Sequence, residues 1–360
     1  MNAVISPSDL EILPIERSET IPSAWYVNPE FHGFDLSTIF SKSWQYVGHA
    51  SKLRLPGDQI VGTAANNPVL VLRDKENQLR AFYNVCRHRG GPLALEDCHA
   101  NVLQCKYHGW TYLLDGSLRG TPKFDRTELF DKKDFGLIPL ELATWENLVF
   151  VRTEAGFPSL NSIFSGAKER IAPINLAEKQ FHSRVAYDVN CNWKVYVDNY
   201  LEGYHLPFVH PELTTLLDYQ NYVTETQEFY SLQYSTISKK DGVYDEGMAW
   251  YYFIFPNFMM NILPGRLQTN LVLPLGHNKC RILFDYYYDD VTSPSLQKRI
   301  QEDLNYSDKV QHEDVEICER VQQGLESRAY DKGRFSPEME MGVYHFQCLL
   351  KKMYKEHRGT

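Results

Sequence analysis

Short runs in which apolar and polar positions alternate dominate residues 44–153. Examples are Val69-Leu70-Val71-Leu72-Arg73, Ala81-Phe82-Tyr83-Asn84-Val85 and Asn147-Leu148-Val149-Phe150-Val151, separated by turn signals such as Asp115-Gly116. A two-residue period broken every few positions predicts a small all-β domain. Beyond residue 156 the pattern changes: strand-like Arg281-Ile282-Leu283-Phe284-Asp285-Tyr286-Tyr287-Tyr288 mixes with helical periodicity, including residues 295–326 as one long helix or two consecutive ones. The order predicts an α+β chain in three parts. Residues 1–43 form an N-terminal segment packed on the last part, residues 44–155 the all-β domain, and residues 156–360 an antiparallel sheet wrapped by helices.

Within the last part, Trp193, Val197, Tyr200, Leu201 and Tyr204 recur at three- and four-residue intervals, which predicts a helix with Glu202 and His205 on one face. Pro207 disfavours helix at Leu206, so the chain bends there and His210 can converge with His205. In an unbroken helix the two imidazoles would point about 140° apart. Along residues 307–319 and just beyond, Val310, Val315, Ile317 and Val321 suggest a buried stripe; Asp314 adjoins it, while Glu316 and Glu319 remain more solvated alternatives.

The 360 residues suffice for about two domains with ample core. Against 37 basic residues stand 46 acidic ones, a formal charge of −9, and no basic stripe with interleaved aromatics occurs, so nucleic acid is not an expected partner. No stretch reaches 18 consecutive apolar residues and the start has no apolar signal region, so neither a membrane span nor a secretory leader is expected. Of seven cysteines, Cys98, Cys191, Cys280, Cys318 and Cys348 read as scattered buried thiols of a reducing compartment, cytoplasmic or, after loss of a transit peptide, an organelle stroma.

The strongest chemical signal is Cys86-Arg87-His88 with Cys105-Lys106-Tyr107-His108. Cys-x-His followed by Cys-x2-His is the ligand set of a Rieske [2Fe–2S] cluster, with Cys86 and Cys105 on one iron and His88 and His108 on the other. A structural zinc site usually pairs residues of one type, whereas each arm here mixes Cys with His. Gly91 and Tyr107 stand where Rieske proteins of respiratory complexes carry an extra disulfide, so the cluster resembles the oxygenase type. Downstream, His205, His210 and a carboxylate would make a facial triad for Fe(II), with open positions for O2 and substrate.

The succession of the Rieske motif, Asn192-Trp193-Lys194, Asp198-Asn199-Tyr200-Leu201-Glu202-Gly203-Tyr204-His205 and Gln311-His312-Glu313-Asp314 resembles the catalytic α subunits of Rieske non-haem iron oxygenases. The likeness is greatest to the branch acting on quaternary ammonium compounds, choline above all, and glycine betaine, stachydrine or carnitine in N-demethylating members. Pro256-Asn257-Phe258-Met259 and Thr269-Asn270-Leu271-Val272-Leu273-Pro274-Leu275-Gly276 carry that likeness.

The resemblance implies that His205, His210 and Asp314 hold a mononuclear Fe(II), with Asn199 beside them. It further implies that Glu202 links His108 of one subunit to His205 of the next in a homotrimer or a multiple of it. O2 would be the co-substrate, and NAD(P)H would act only through a ferredoxin or flavin-containing reductase. The Glu202 form is similar to the N-demethylating members, which leaves the substrate open. Two other readings stay open: an electron carrier without oxygenase activity, and an oxygenase fold whose second site has lost function. Aromatics crowd this half, notably Tyr219, Tyr222, Phe229, Tyr230, Tyr234 and Trp250-Tyr251-Tyr252-Phe253; Trp250, Tyr252 and Tyr204 are candidate walls for a cation, although each is more readily a sheet-core residue.

Overall fold

The computed structural model describes residues 5–218, 221–237 and 244–358. Tyr219 lies outside them. The chain divides into two compact units, one of Phe40–Asn161 and one of Met1–Ile39 with Ser162–Thr360.

The smaller unit is all-β. Its four-stranded sheet runs in the order Leu79–Tyr83, Asn67–Arg73, Asp58–Ala64, Cys98–His99; two three-stranded sheets join it, one of Gln45–His49, Leu148–Arg152 and Glu141–Trp145, the other of Leu103–Gln104, Thr111–Tyr112 and Leu118–Gly120. The continuous run Val69-Leu70-Val71-Leu72 is apolar on both faces because both are covered. Val69 and Val71 join Val47, Ile60, Val149 and Val151, whereas Leu70 and Leu72 join Phe82, Cys86, Cys105, Trp110 and Tyr112. The second face floors the two Cys/His loops.

The larger unit holds a seven-stranded antiparallel sheet in the order Gln180–Val189, Lys279–Tyr288, Arg266–Gly276, Phe258–Leu263, Gly247–Ile254, Tyr230–Ile237, Val223–Thr226. Its N-terminal segment is anchored through Asp35, a fully buried carboxylate that accepts from Trp193 Nε1 at 2.9 Å and also bonds Lys194 Nζ and Tyr354 Oη. A buried charge of this kind persists only when paired and bonded on all sides.

Three expectations change. The helix carrying the motif runs only Trp193–Tyr200, capped by the Asn192 side chain on Lys194 N–H, so Glu202 and His205 lie in the turn after it and not on a helix face. A Cβ at Gly342 would collide with Leu201 O, so the approach of the Met341–Arg358 helix closes off that end. Pro207 does not end a helix but sits in the first turn of a new one, Leu206–Val209, where its fixed φ and missing N–H cost nothing. Residues 295–326 prove to be one helix, Pro294–Leu325, whose buried stripe is half polar: Ile300, Asp303, Gln311, Cys318, Gln322 and Leu325. Val321 is 44% exposed. The polar stripe finds partners on the neighbouring motif helix, Gln322 accepting from Asn192 N–H and Gln311 from Tyr196 Oη.

The thiols also differ. Cys98 is exposed, and Cys191 and Cys280 converge with sulfurs 3.9 Å apart.

Asp198 is half-buried, accepting from Tyr26 Oη at 2.6 Å and bonded to Gln347. Burial raises its pKa to about 7 against the opposing effect of those bonds. Between the unfolded value of 3.8 and about 7 the native state therefore binds the extra proton, and stability falls as pH rises through that window, then levels. Asp198→Asn should accordingly lose less stability than wild type as pH rises from 4 to 8, because the amide has no proton to release in that window. Thermal melts of both proteins across pH 4–8 check this, and a difference between them that does not change with pH would contradict it.

Candidate metal centres

The two Cys/His loops share one backbone design. Cys86 N–H donates to Gly91 O and Gly90 N–H to Cys86 O; in the second loop Cys105 N–H donates to Trp110 O and Gly109 N–H to Cys105 O, all at 2.8–3.0 Å. Gly90 and Gly109 take φ of +75° and +74°, a conformation glycine adopts without a Cβ penalty. The loops face each other closely: a Cβ at Gly91 would lie 3.0 Å from Cys105 Sγ and 3.3 Å from Tyr107 Cβ.

The four side chains are brought together. Cys86 and Cys105 are buried with their thiols in hydrogen-bonding contact, and the His88 and His108 rings lie 4.6 Å apart, His88 stacked on Trp110. Burial pushes the Cys86 thiol up; burial and His108 push His88 down. Nδ1 of His88 is buried with no hydrogen-bond partner among the described residues. Two clustered thiols, two imidazoles and an orphaned ring nitrogen fit a [2Fe–2S] cluster, whose binding releases thiol protons.

Tyr112 was not legible as a site residue. Its hydroxyl lies 3.3 Å from Cys86 Sγ and accepts from Arg87 N–H at 2.9 Å, because the short Thr111–Tyr112 strand returns beneath the first loop. Tyr112→Phe should keep the cluster but lower its midpoint by roughly 40–60 mV, the equivalent of about one hydrogen bond to sulfur. Redox titration checks this, and an unchanged potential would show that the bond does not reach the cluster.

The second centre forms where the turn after Trp193–Tyr200 meets the long helix. His205, His210 and Asp314 each offer a ligand atom, all within 4.8 Å of one another. Asp314 Oδ1 lies 2.9 Å from His210 Nε2 and 3.8 Å from His205 Nε2. Both outer ring nitrogens are held by carboxylates, His205 Nδ1 2.6 Å from Glu202 Oε1 and His210 Nδ1 2.7 Å from Glu313 Oε2. This fixes each ring with Nε2 turned inward, as outer partners do for metal-bound histidines. Asn199 donates to Asp314 Oδ1 at 2.7 Å. Two imidazoles and one carboxylate converging on one point fit a facial Fe(II) site. Glu313 escaped the sequence because its role depends on where His210 lands, 103 residues away.

The trio lines a cavity of about 130 Å³ whose wall also includes Tyr200, Tyr222, Tyr244, Tyr251 and Tyr306. Neither aromatic wall expected on the Gly247–Ile254 strand lines it; Tyr251 between them does. The two-residue period sends Trp250 and Tyr252 to the opposite face, where they meet Tyr234 and Tyr230. Tyr204 is 50% exposed and is not part of the wall.

Residues 43–140 match the Rieske [2Fe-2S] domain family, and residues 176–356 the catalytic domain of the ring hydroxylating alpha subunit. The chain is 37% identical to the chloroplastic choline monooxygenase of Arabidopsis thaliana, over 94% of this chain and 83% of that one. It is 30% identical to the carnitine monooxygenase oxygenase subunit of Acinetobacter pittii, over 93% and 95%. The solved structure of a quaternary ammonium Rieske monooxygenase in complex with L-carnitine superposes with a TM-score of 0.85 at 28% identity, covering 95% of this chain and 99% of that one. With a Rieske domain, a non-haem iron catalytic domain and relatives that are monooxygenases of quaternary ammonium compounds, this chain belongs to the Rieske oxygenase α subunits.

Proposed function

We propose that this chain is the oxygenase component that hydroxylates a small quaternary ammonium compound at a C–H bond next to nitrogen or oxygen, choline to betaine aldehyde hydrate being the reading its plant relatives favour. The observation that carries it is the convergence of His205, His210 and Asp314 on a tyrosine-walled cavity. When bound, a [2Fe–2S] cluster on Cys86, His88, Cys105 and His108 supplies single electrons, and Fe(II) on His205, His210 and Asp314 supplies O2 activation.

The chain's own residues do the rest. Asn199 holds the Asp314 carboxylate in position, and Glu313 and Glu202 lock the two imidazoles. Tyrosine faces suit an ammonium that cannot donate hydrogen bonds, each contact being worth about 0.5–2 kcal/mol when desolvated. Glu202 also accepts from the backbone N–H groups of Tyr204 and His205, which leaves it rigid between the His205 ring and the surface turn. From there it would join the histidine shell of a neighbouring subunit in a homotrimer or larger ring. A ferredoxin or flavin-containing reductase would be the donor, in the cytoplasm or an organelle stroma. Among the described residues no helix is long and apolar enough to cross a membrane.

The test is aerobic turnover of the iron-replete protein with a Rieske reductase and reduced nicotinamide, offered choline, glycine betaine, carnitine and stachydrine separately. An oxygenated or demethylated product from any of them supports the reading; reductant consumption without product from all four contradicts it.

A further inference from the structure

One amide donor on the cavity wall bonds to nothing in the described protein. Asn270, on the Arg266–Gly276 strand, is 2% exposed and lines the cavity. Its Oδ1 accepts from Gln268 Nε2 at 2.8 Å, while its Nδ2 has no partner among the described residues. That nitrogen is not one of the unpartnered atoms sealed from solvent, so the little surface that Asn270 keeps includes it and opens on the cavity.

An amide can turn end for end, so the donor faces the cavity only if something holds it that way. A chain of hydrogen bonds does, and its direction is set by a guanidinium, which can only donate. Arg266, itself paired with Asp303 at 3.0 Å, donates from Nη2 to Ser307 Oγ at 3.4 Å, and Tyr286 Oη donates to the same oxygen at 2.9 Å. With both lone pairs taken, the Ser307 hydroxyl gives its proton to Gln268 Oε1, at 3.3 Å. Gln268 then has only N–H to offer its neighbour. Asn270 meets it with oxygen and turns its own N–H groups to the cavity.

The strand runs alongside the Pro294–Leu325 helix. Arg266 meets Asp303 and Gln268 meets Ser307, two strand residues for every four helical ones. The next step sets Asn270 level with Gln311, another wall residue, which lies three residues, about 4.5 Å along the helix, before Asp314. The donor therefore stands beside the metal trio. Tyrosine faces accept an ammonium from many directions, so they do not decide which carbon of a ligand comes forward; a directional N–H does.

Resting on the choline reading above, we propose that Asn270 Nδ2 donates to the alcohol oxygen of the substrate and so turns the carbon bearing it, and not an N-methyl group, toward His205, His210 and Asp314. One C–H bond of that carbon breaks and a C–O bond forms. The alcohol, one O2, two electrons and two protons together give the aldehyde hydrate and one water, with the electrons supplied by the partner reductase.

The experiment uses Asn270→Leu and Asn270→Ala, which both remove the donor, the first at nearly constant volume. In calorimetric titrations of the oxidised, iron-replete protein, choline should bind about 10-fold more weakly to each variant, the loss of one hydrogen bond of about 1.4 kcal/mol. Propyltrimethylammonium, with a methyl group in place of the hydroxyl, should bind to all three proteins alike. On turnover of choline the ratio of betaine aldehyde to formaldehyde should fall about 10-fold in both variants, as N-methyl oxidation takes over. A merely structural Asn270 would weaken both ligands together and leave the product ratio unchanged; that result overturns the proposal and leaves the oxygenase reading standing. A wild type that makes no betaine aldehyde from choline overturns the choline reading and the proposal with it.

Discussion

Asp314→Asn should abolish oxygenation while leaving the cluster intact. Asp314 Oδ1 is the shared point of the second centre, within 2.9 Å of His210 Nε2, 3.8 Å of His205 Nε2 and 2.7 Å of Asn199 Nδ2. An amide there removes the anionic member of a facial triad and offers its remaining oxygen to the same Asn199. Iron should fall from about three to about two per chain, with the cluster's visible spectrum unchanged. Turnover should drop by more than the about 100-fold that loss of an outer partner costs. Metal analysis and turnover on one preparation check this. Retention of all the iron with full activity would remove Asp314 from the ligand set, and loss of the cluster as well would show a folding defect.

Glu202→Gln should keep both centres and slow the reaction about 10–100-fold, the range for removing an outer partner of a metal-bound histidine. The carboxylate accepts from Tyr204 N–H and His205 N–H as well as bonding His205 Nδ1. A glutamine retains one oxygen for those donors, so the turn is preserved while the carboxylate charge beside the His205 ring is lost. The discriminating readout is the rate at which pre-reduced, substrate-bound protein is oxidised by O2. Normal iron content with slow oxidation supports a coupling role for Glu202; an unchanged rate makes it a structural brace of the turn.

The gathering of these side chains into two candidate metal sites could be read from the sequence because each group is mostly local. Cys86 and His88, Cys105 and His108, and His205 and His210 are near neighbours whose residue types and spacing point to metal chemistry on their own. The all-β pattern of the first domain was legible for the same reason, since alternation reports which face of a strand is covered. What the sequence obscured was long-range. The inward face of the Pro294–Leu325 helix carries Asp303, Gln311, Asp314, Cys318 and Gln322, so apolar periodicity picks the wrong stripe, and only partners such as Tyr196, Asn192 and Asn199 reveal the right one. Glu313 and Tyr112 act through contacts that no local spacing signals. The turn at 201–205 resembles helix because its apolar residues keep helical spacing, while the chain end approaching at Gly342 occupies the space a further turn would need. Choosing among Trp250, Tyr251 and Tyr252 needed the strand's orientation, which three consecutive aromatics cannot disclose.

If the two metal sites of this chain oxygenate a quaternary ammonium compound, they should do so in a single turnover without any reductase. Iron-replete protein is reduced chemically, freed of reductant, mixed with ¹⁸O2 and choline, glycine betaine, carnitine or stachydrine in separate samples, and its product is analysed by mass. A sub-stoichiometric burst of hydroxylated or demethylated product is expected from at least one of them, with label in the alcohol or released aldehyde, and none from Asp314→Asn. Oxidation of the reduced protein with no labelled product from any of the four would refute oxygenation at these sites.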